Sequence, residues 1–315
     1  MSGELDAIDR ALGVVATTAP PGVLGAIVAA TLADLRAEGA AAPRVAGHMV
    51  AGHVVAGEAA APRGAGHFAA ALRAAAAGDR RGLALIAEVK PVSPAKGRLM
   101  ARAAVPDYVR AVAPHAAALS VLVDARHFGG GLDMLTEVRA LTDKPLLAKG
   151  FFVSTRQLDD AVAAGADAVL LMCSVLPQPS LRTLLVEARH RGLGTLVETH
   201  DDDEVARAYA AHHELAIPGA EAVIGVNSRD LWTLRIDVPG AIARLATLPS
   251  GPDAPLRVAE SGIEAATTLD ALVGKADAAL IGSHLAAAPS PGAAVAGLGL
   301  GPRAGGAEAI AGGAA

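Results

Sequence analysis

Residues 86–97 read IAEVKPVSPAKG and join the end of an apolar segment to two opposite charges. The segment that leads into them, residues 83–89, is aliphatic apart from one glutamate, which is typical of a strand buried on both faces. Glu88 and Lys90 stand two residues apart, and side chains at that spacing in a strand point to the same side. A buried strand therefore directs a carboxylate and an ammonium together at its carboxyl end.

Seven more apolar runs follow this one along the chain. The eight runs read LALIAEV, ALSVLVD, PLLAK, DAVLLMCSVL, GTLVET, AVIGVN, LRVAES and DAALIGS. Segments with helical periodicity, such as STRQLDDAVAAG, lie between them. Strands that alternate with helices predict a parallel sheet, and eight regular units predict an α/β fold, the (β/α)8 TIM barrel. A doubly wound open sheet is the alternative, although the regular units show no obvious switch point in strand order.

The composition excludes several classes of protein. Of the 315 residues 52% are hydrophobic but only 2% are aromatic, so the core must be aliphatic and bases would find few stacking platforms. The net charge is −5, and no basic cluster suits nucleic acid. No run approaches the ~18 apolar residues of a membrane span, and the acidic start MSGELDAIDR lacks the layout of a signal peptide. The single cysteine, Cys173, fits a reducing compartment. We expect a cytoplasmic protein with no nucleic-acid or membrane partner.

The chain divides into three predicted parts. Residues 1–67 form an N-terminal extension, which is partly helical, at residues 24–38, and carries a flexible Gly/Ala/His-rich segment. Residues 68–298 form the catalytic barrel, and residues 299–315 form a mobile tail of low complexity. Three histidines within the flexible segment raise the alternative of a metal site: His48, His53 and His67. Their neighbours are small and no acidic partner recurs at fixed spacing, so we predict no metal.

Charged, polar or small residues stand at the carboxyl ends of nearly all the predicted strands. These ends form the active face of a parallel barrel. The residues are Glu88, Lys90, Asp124, Lys149, Glu198, Asn227, Arg229, Glu260, Ser261, Gly262, Gly282 and Ser283. A ring of ion pairs that orders the barrel mouth would explain any one of them. Together they favour a site, in which two lysines and three glutamates would perturb one another's pKa values and suit acid–base chemistry.

The last two strands predict an anion site. The seventh run ends in ESG and the eighth in IGS, and such small residues leave backbone N–H groups accessible. Barrels of this type often bind a substrate phosphate at the loops after strands seven and eight.

The chain resembles the indole-3-glycerol phosphate synthase family of the tryptophan pathway. The motifs that carry the resemblance cover about residues 68–290, and they are IAEVKPVSPAKG, SVLVDARHFGGGLDML, PLLAKGFFV, AGADAVLLMCSVL, LVETHDDDEVARA, IGVNSRDLWTLRID, VAESGI and ALIGSHL. The resemblance implies a (β/α)8 barrel that converts 1-(2-carboxyphenylamino)-1-deoxyribulose 5-phosphate to indole-3-glycerol phosphate, with loss of carbon dioxide and water. It implies a phosphorylated small-molecule substrate, no cofactor or metal, and other tryptophan-pathway enzymes as candidate partners.

The resemblance also implies roles for individual residues. Lys149 falls on the general acid of ring closure, and Lys90 on the lysine that contacts the substrate carboxylate and serves the dehydration. Glu198 falls on the acid–base glutamate and Glu88 on its supporting carboxylate. The other matches are substrate contacts at Ser93, Phe151, Asn227, Arg229 and Glu260, and phosphate contacts at Ser261, Gly262, Gly282 and Ser283.

Three positions depart from the family's pattern. Gly150 replaces an aspartate that follows the general acid, Pro91 replaces a common basic residue and Ala95 a common serine. Without the aspartate, Lys149 has one negative neighbour fewer. Two alternatives therefore stay open: a paralogue that acts on a modified substrate in a specialised pathway, and a non-catalytic barrel retained for binding.

Overall fold

A closed barrel of eight parallel strands forms the centre of the molecule. The computed structural model describes residues 9–18, 22–41, 49–50, 53–54, 63–93, 96–230 and 233–300. The barrel strands are β1 (Ala84–Val89), β2 (Ala118–Leu122), β3 (Leu146–Lys149), β4 (Ala168–Met172), β5 (Gly194–Thr199), β6 (Val223–Asn227), β7 (Leu256–Glu260) and β8 (Ala278–Ile281). Each strand pairs with the next, and β8 pairs with β1. The predicted (β/α)8 barrel is confirmed.

The strands form where the apolar runs stand in the sequence. Every residue of β1, β2, β4, β5, β7 and β8 is buried, as expected of strands covered on both faces. The last residues of β3 and β6, Lys149 and Asn227, are the partly exposed residues of their strands. The barrel therefore opens to solvent at the carboxyl ends of its strands.

Helices surround the barrel. They are α1 (Gly22–Ala41), α2 (His67–Gly78), α3 (Val105–Val112), α4 (Ala125–Phe128), α5 (Leu132–Leu141), α6 (Thr155–Ala163), α7 (Gln178–His190), α8 (Asp202–Glu214), α9 (Val238–Leu245), α10 (Ala266–Leu272), α11 (Ser283–Ala286) and α12 (Pro291–Leu298). A 3-10 turn covers Arg102–Ala104, and two antiparallel pairs join Met49–Val50 to His53–Val54 and Val92–Ser93 to Gly97–Arg98.

Local sequence signals explain several helix ends. Ser154 and Asp201 cap α6 and α8, because their side chains accept the backbone N–H groups of Arg156 and Glu204. Gly165, just past α6, has a left-handed φ of +90°, which suits the turn after a helix.

The predicted N-terminal helix is present as α1. Leu24, Ile27, Val28 and Leu35 are buried, and their spacing places them on one side of the helix. Leu24 and Ile27 line the cavity at the carboxyl end of the barrel. Helix α1 therefore contributes to the site as well as to the core.

Helix α2 packs at the amino end of the barrel. A Cβ added to Gly194, the first residue of β5, would lie 2.9 Å from Ala65 O and 3.3 Å from Phe68 Cβ. Phe68 and Leu72 of α2 are fully buried. The two ends of the barrel thus differ: one is packed with aliphatic and aromatic side chains, and the other is open.

Several predictions for the chain termini fall outside the described residues, among them His48, most of the Gly/Ala/His-rich segment and residues 301–315. Gly299 and Leu300 lie within the predicted tail, yet Arg80 and Arg81 donate to Gly299 O at 3.1 and 2.7 Å, and Leu300 is buried. Within the described ranges no helix is long and apolar enough to span a membrane. No group of three or more His, Cys, Asp or Glu side chains there is placed to hold a metal ion.

Asp167 joins the extension to the amino end of the barrel. Its carboxylate is buried and accepts from Arg63 Nε at 2.9 Å, Arg139 Nη1 at 3.0 Å and the backbone N–H of Leu146 at 2.8 Å. Arg63 also donates to Asp143 O at 2.6 Å. The cluster ties residues before α2 to the loops around β3 and β4.

We expect Asp167→Asn to lower the free energy of unfolding by about 2 kcal/mol. Removing one partner of a buried ion pair is costly, but both arginines keep some contact with water and limit the loss. Urea unfolding measures the change. Asp107→Asn is the control, because the Asp107 side chain is 88% exposed in its pair with Arg110 and should change little. Equal effects of the two substitutions would contradict the role of the cluster.

Candidate active site

A cavity opens at the carboxyl ends of the barrel strands. All thirteen residues that the sequence predicts for the site line it: Glu88, Lys90, Ser93, Lys149, Phe151, Glu198, Asn227, Arg229, Glu260, Ser261, Gly262, Gly282 and Ser283. Asp124, a strand-end residue without a predicted role, does not line the cavity. Its carboxylate accepts the backbone N–H of His127 at 2.6 Å and caps α4.

Lys149 and three glutamates, Glu88, Glu198 and Glu260, form the polar floor of the cavity, with the Lys149 ammonium at its centre. Its Nζ lies 2.5 Å from Glu260 Oε2, 3.2 Å from Glu198 Oε2 and 4.0 Å from Glu88 Oε1. Burial disfavours its charge, but the three carboxylates, Glu260 first, outweigh burial and raise the pKa of Lys149 above its ordinary value. Lys149 therefore holds a proton across the neutral range, as a general acid requires.

Glu198 is held as a carboxylate. Burial would raise its pKa, but the charge of Lys149 and the contacts of His200 and Asn227 bring the pKa well below the ordinary value. Asn227 Nδ2 donates to Glu198 Oε1 at 3.2 Å. A side chain in this state accepts a proton, which is the property of a general base.

Glu260 differs from Glu198 although both contact Lys149. Burial, together with the nearby charge of Glu198, raises the pKa of Glu260 to about 7 against the pull of Lys149. A Cβ at Gly225 would lie 2.2 Å from Glu260 Oε1, so the absence of a side chain in the middle of β6 gives this carboxyl group its place. The floor thus combines an ionised carboxylate with one that titrates near neutrality.

Glu88 and Lys90 share one face of the chain, as their spacing predicts. Lys90 Nζ pairs with Glu88 Oε2, and the Tyr108 hydroxyl donates to the Glu88 backbone carbonyl at 2.9 Å. A Cβ at Gly282 would lie 2.1 Å from Glu88 Oε2. Gly282 therefore makes room for this carboxylate, a role that its predicted place in a phosphate site does not reveal.

Two buried carboxylate oxygens on the floor have no hydrogen-bond donor within the described part of the chain: Glu88 Oε1 and Glu260 Oε1. Buried polar atoms are nearly always paired in native proteins. Both residues line the cavity.

The loop after β7 has an unusual backbone. Ser261 and Gly262 have left-handed φ values of +65° and +71°, and the first is uncommon for a residue other than glycine. Ser228 Oγ donates to Ser261 O at 3.0 Å and supports this conformation. Such strain occurs at functional loops, where it fixes the backbone that faces a ligand.

Apolar side chains also line the cavity, and the sequence predicted only one of them, Phe151, for the site. The other apolar side chains are Val23, Leu24, Ile27, Leu122, Phe128, Leu170, Met172, Leu234, Ile263, Leu280 and Ile281. The rings of Phe128 and Phe151 lie 6.3 Å apart between centroids. The phenylalanines could be found from their positions after β2 and β3, but the contribution of α1 carries no sequence signal, because it depends on how the extension folds back.

Relatives of known name share most of the chain. The sequence profile of the family described as "Indole-3-glycerol phosphate synthase" matches residues 46–298. "Indole-3-glycerol phosphate synthase 1" of Streptomyces coelicolor is 44% identical over 230 residues, which cover 71% of this chain and 80% of that protein. "Indole-3-glycerol phosphate synthase" of Mycolicibacterium vanbaalenii is 42% identical over 231 residues, which cover 73% of this chain and 79% of that protein.

Solved structures share the barrel. A 3-hexulose-6-phosphate synthase has a TM-score of 0.53 at 19% identity and covers 69% of this chain and 98% of its own. Tryptophan synthase subunit alpha from Legionella pneumophila has a TM-score of 0.53 at 14% identity and covers 74% of this chain and 96% of its own. At these identities the likeness shows the fold alone. The family profile and the two relatives show more: the chain belongs to the indole-3-glycerol phosphate synthase family.

Proposed function

We propose that the protein is a carboxy-lyase that converts 1-(2-carboxyphenylamino)-1-deoxyribulose 5-phosphate to indole-3-glycerol phosphate. Membership of the family supports this reaction. The observation that carries the proposal is the polar floor, where a charged Lys149 lies between an ionised Glu198 and a Glu260 whose pKa is raised to about 7. One cavity thus holds an acid and a base, which ring closure and dehydration both need.

Ring closure needs a proton at the ketone oxygen. The ring carbon that bears the carboxylate attacks the ketone carbon, and the electron pair of the carbonyl bond takes the proton of Lys149. Carbon dioxide then leaves, and the electrons of the broken bond restore the aromatic ring. Because the ring itself accepts these electrons, the protein needs to supply only an acid and the correct orientation of the substrate in this step.

Dehydration completes the indole. The hydroxyl formed in the first step leaves as water with a proton, for which Lys90 at the rim is the candidate donor. Glu198 takes a proton from the carbon next to the nitrogen, and the electron pair of that C–H bond forms the new double bond. Glu88 supports Lys90 through their ion pair, and Asn227 orients Glu198.

The two faces of the cavity suit the two ends of this substrate. Phe128, Phe151 and the apolar side chains of α1 can cover the aryl ring. Ser261, Gly262, Gly282 and Ser283 would bind the phosphate through the ends of β7 and β8. Arg229 and Lys90 provide positive charge for the substrate carboxylate. Other tryptophan-pathway enzymes as partners, and a cytoplasmic location, stay predictions.

Gly150 bears on the alternative of a modified substrate. A Cβ there would lie 2.6 Å from Val123 Cγ2, while the backbone φ is not left-handed. The side chain of Val123, not the backbone, therefore opposes an aspartate. Lys149 already has three carboxylates within 4.0 Å, so its charge does not depend on residue 150. The geometry at position 150 does not favour a modified substrate. All the acid–base residues of the polar floor are present in the cavity, which does not favour a non-catalytic barrel retained for binding. Ala95, another departure, lies outside the described residues.

The acid role of Lys149 predicts a loss of turnover. Lys149→Ala should lower kcat by at least ~10², the usual contribution of a positioned acid. The formation of the indole chromophore measures the rate, and circular dichroism checks the fold. Lys275→Ala, an exposed lysine on the barrel surface, is the matched control and should keep the parent rate. A folded Lys149→Ala variant with nearly the parent kcat would remove Lys149 from this role.

The phosphate site predicts sensitivity to an added negative charge. Ser283→Asp should raise the inhibition constant of inorganic phosphate at least ~10-fold, because like charges in contact repel by several kcal/mol. Ser290→Asp, at the exposed start of α12 and away from the cavity, should leave that constant unchanged. If inorganic phosphate inhibits both variants equally well, the phosphate group of the substrate binds elsewhere.

The contact at Gly150 predicts a coupled pair of substitutions. Gly150→Asp alone should destabilise the protein, since its Cβ would press on Val123. Val123→Ala should make room, so the double variant should recover at least about 0.5 kcal/mol relative to the sum of the singles. Urea unfolding of the four proteins gives the coupling energy. If the free-energy changes of the two single variants simply add in the double variant, the side chain of Val123 does not determine which residue fits at position 150.

A further inference from the structure

His200 lies behind Glu198, just outside the cavity. It follows Glu198 by two residues at the end of β5, and its side chain is 6% exposed. Neither the apolar pattern nor the resemblance assigns it a role. A buried histidine beside a catalytic carboxylate is a candidate for a positioning residue.

Both ring nitrogens of His200 face carboxylates. Nε2 lies 3.2 Å from Glu198 Oε1, within ion-pair distance but outside hydrogen-bond geometry. Nδ1 lies 3.1 Å from Glu204 Oε2, and the same oxygen accepts the backbone N–H of His200 at 2.8 Å. Glu204 is itself fixed in the first turn of α8, where its N–H donates to Asp201 at 2.8 Å.

This geometry decides the charge of the ring. With Nδ1–H donated to Glu204, a neutral ring would turn the lone pair of Nε2 toward the Glu198 carboxylate, which is repulsive. An imidazolium instead presents N–H groups to both. Burial lowers the pKa of His200, but the two carboxylates outweigh burial and raise the pKa to about 10.

The surrounding groups leave this assignment intact. Lys149 approaches Glu198 through its other oxygen, Oε2, and Asn227 donates to the same oxygen that His200 faces. Glu204 also lies near Cys173, in the loop after β4, and the other charges around that thiol are Arg207, Asp201 and Asp203. Arg207 donates to the carbonyls of Cys173 and Leu176.

We propose that His200, held by Glu204, is a positioning residue that keeps Glu198 ionised through the catalytic cycle. This inference rests on the proposed function, in which Glu198 is the base of the dehydration. Once Lys149 has given its proton to the substrate, it no longer offers Glu198 a positive charge. His200 supplies a second cation that does not react, so Glu198 remains a carboxylate for the later step.

The pH profile tests this role. An opposite charge lowers the pKa of a carboxyl group, so its removal raises that pKa and moves the acid limb of kcat, which reports the substrate-bound enzyme, to higher pH. His200→Gln, which keeps a donor but loses the charge, should move the limb upward by at least about half a pH unit. Glu204→Gln, which keeps the contact with the His200 backbone but loses the charge that holds the imidazolium, should move it in the same direction. KM should change less than kcat.

His212→Gln is the matched control. His212 is also buried, on α8, and its Nδ1 faces only the Ala208 carbonyl at 2.8 Å rather than a residue of the floor. The acid limb of this variant should coincide with that of the parent. A limb that stays in place in folded His200→Gln would overturn the inference, and so would an equal shift in His212→Gln.

A second readout does not depend on activity. In the full chain with ring-labelled histidines, the signal lost in His200→Gln identifies His200 among ten histidines. That signal should show an imidazolium through pH 8 in the parent, and it should titrate at lower pH in Glu198→Gln. A neutral His200 ring at pH 7 would overturn the inference. A parent that fails to form the indole product would instead contradict the proposed function, while this titration still decides the charge of His200.

Discussion

The site depends on one interaction, the contact of the Lys149 ammonium with three carboxylates on the polar floor of the cavity. Glu198 and Glu260 lie within hydrogen-bond distance and Glu88 at 4.0 Å. Desolvation of such charges offsets much of their attraction, so the cluster is a poor source of stability. A rigid barrel that holds each charge on a separate strand makes the arrangement sustainable, and acid–base chemistry gives a reason for it.

The small residues of the barrel follow from this constraint. Gly225 and Gly282 leave the space that Glu260 and Glu88 occupy, and a Cβ at either position would lie about 2 Å from a carboxylate oxygen. Asn227 and His200 meet Glu198 on the side away from Lys149. Neighbouring carboxyl groups of the floor therefore differ in protonation state. Glu198 is ionised and can act as a base, whereas Glu260 can exchange a proton near neutral pH.

Much of this was accessible from the sequence, because strand periodicity is strict. Continuous apolar runs predicted the eight strands, and the period of two placed Glu88 and Lys90 on one face. Polar residues at strand ends predicted the members of the floor, since the ends of parallel strands converge. Other features depend on distances that no spacing encodes: the contact of Gly282 with Glu88, the fold of α1 over the cavity and the pairing of His200 with Glu204. Asp124 shows the reverse case, a strand-end carboxylate that caps a helix instead.

The charge of Lys149 is the most direct test of the account. In protein labelled at the lysine Cε, titration by NMR can follow each of the five lysines in the absence of substrate. Lys149 should keep its proton to a higher pH than the other four, because the carboxylates of Glu260, Glu198 and Glu88 surround it. A Lys149 that loses its proton at lower pH than the exposed lysines would show that burial dominates, and it would contradict the proposed acid.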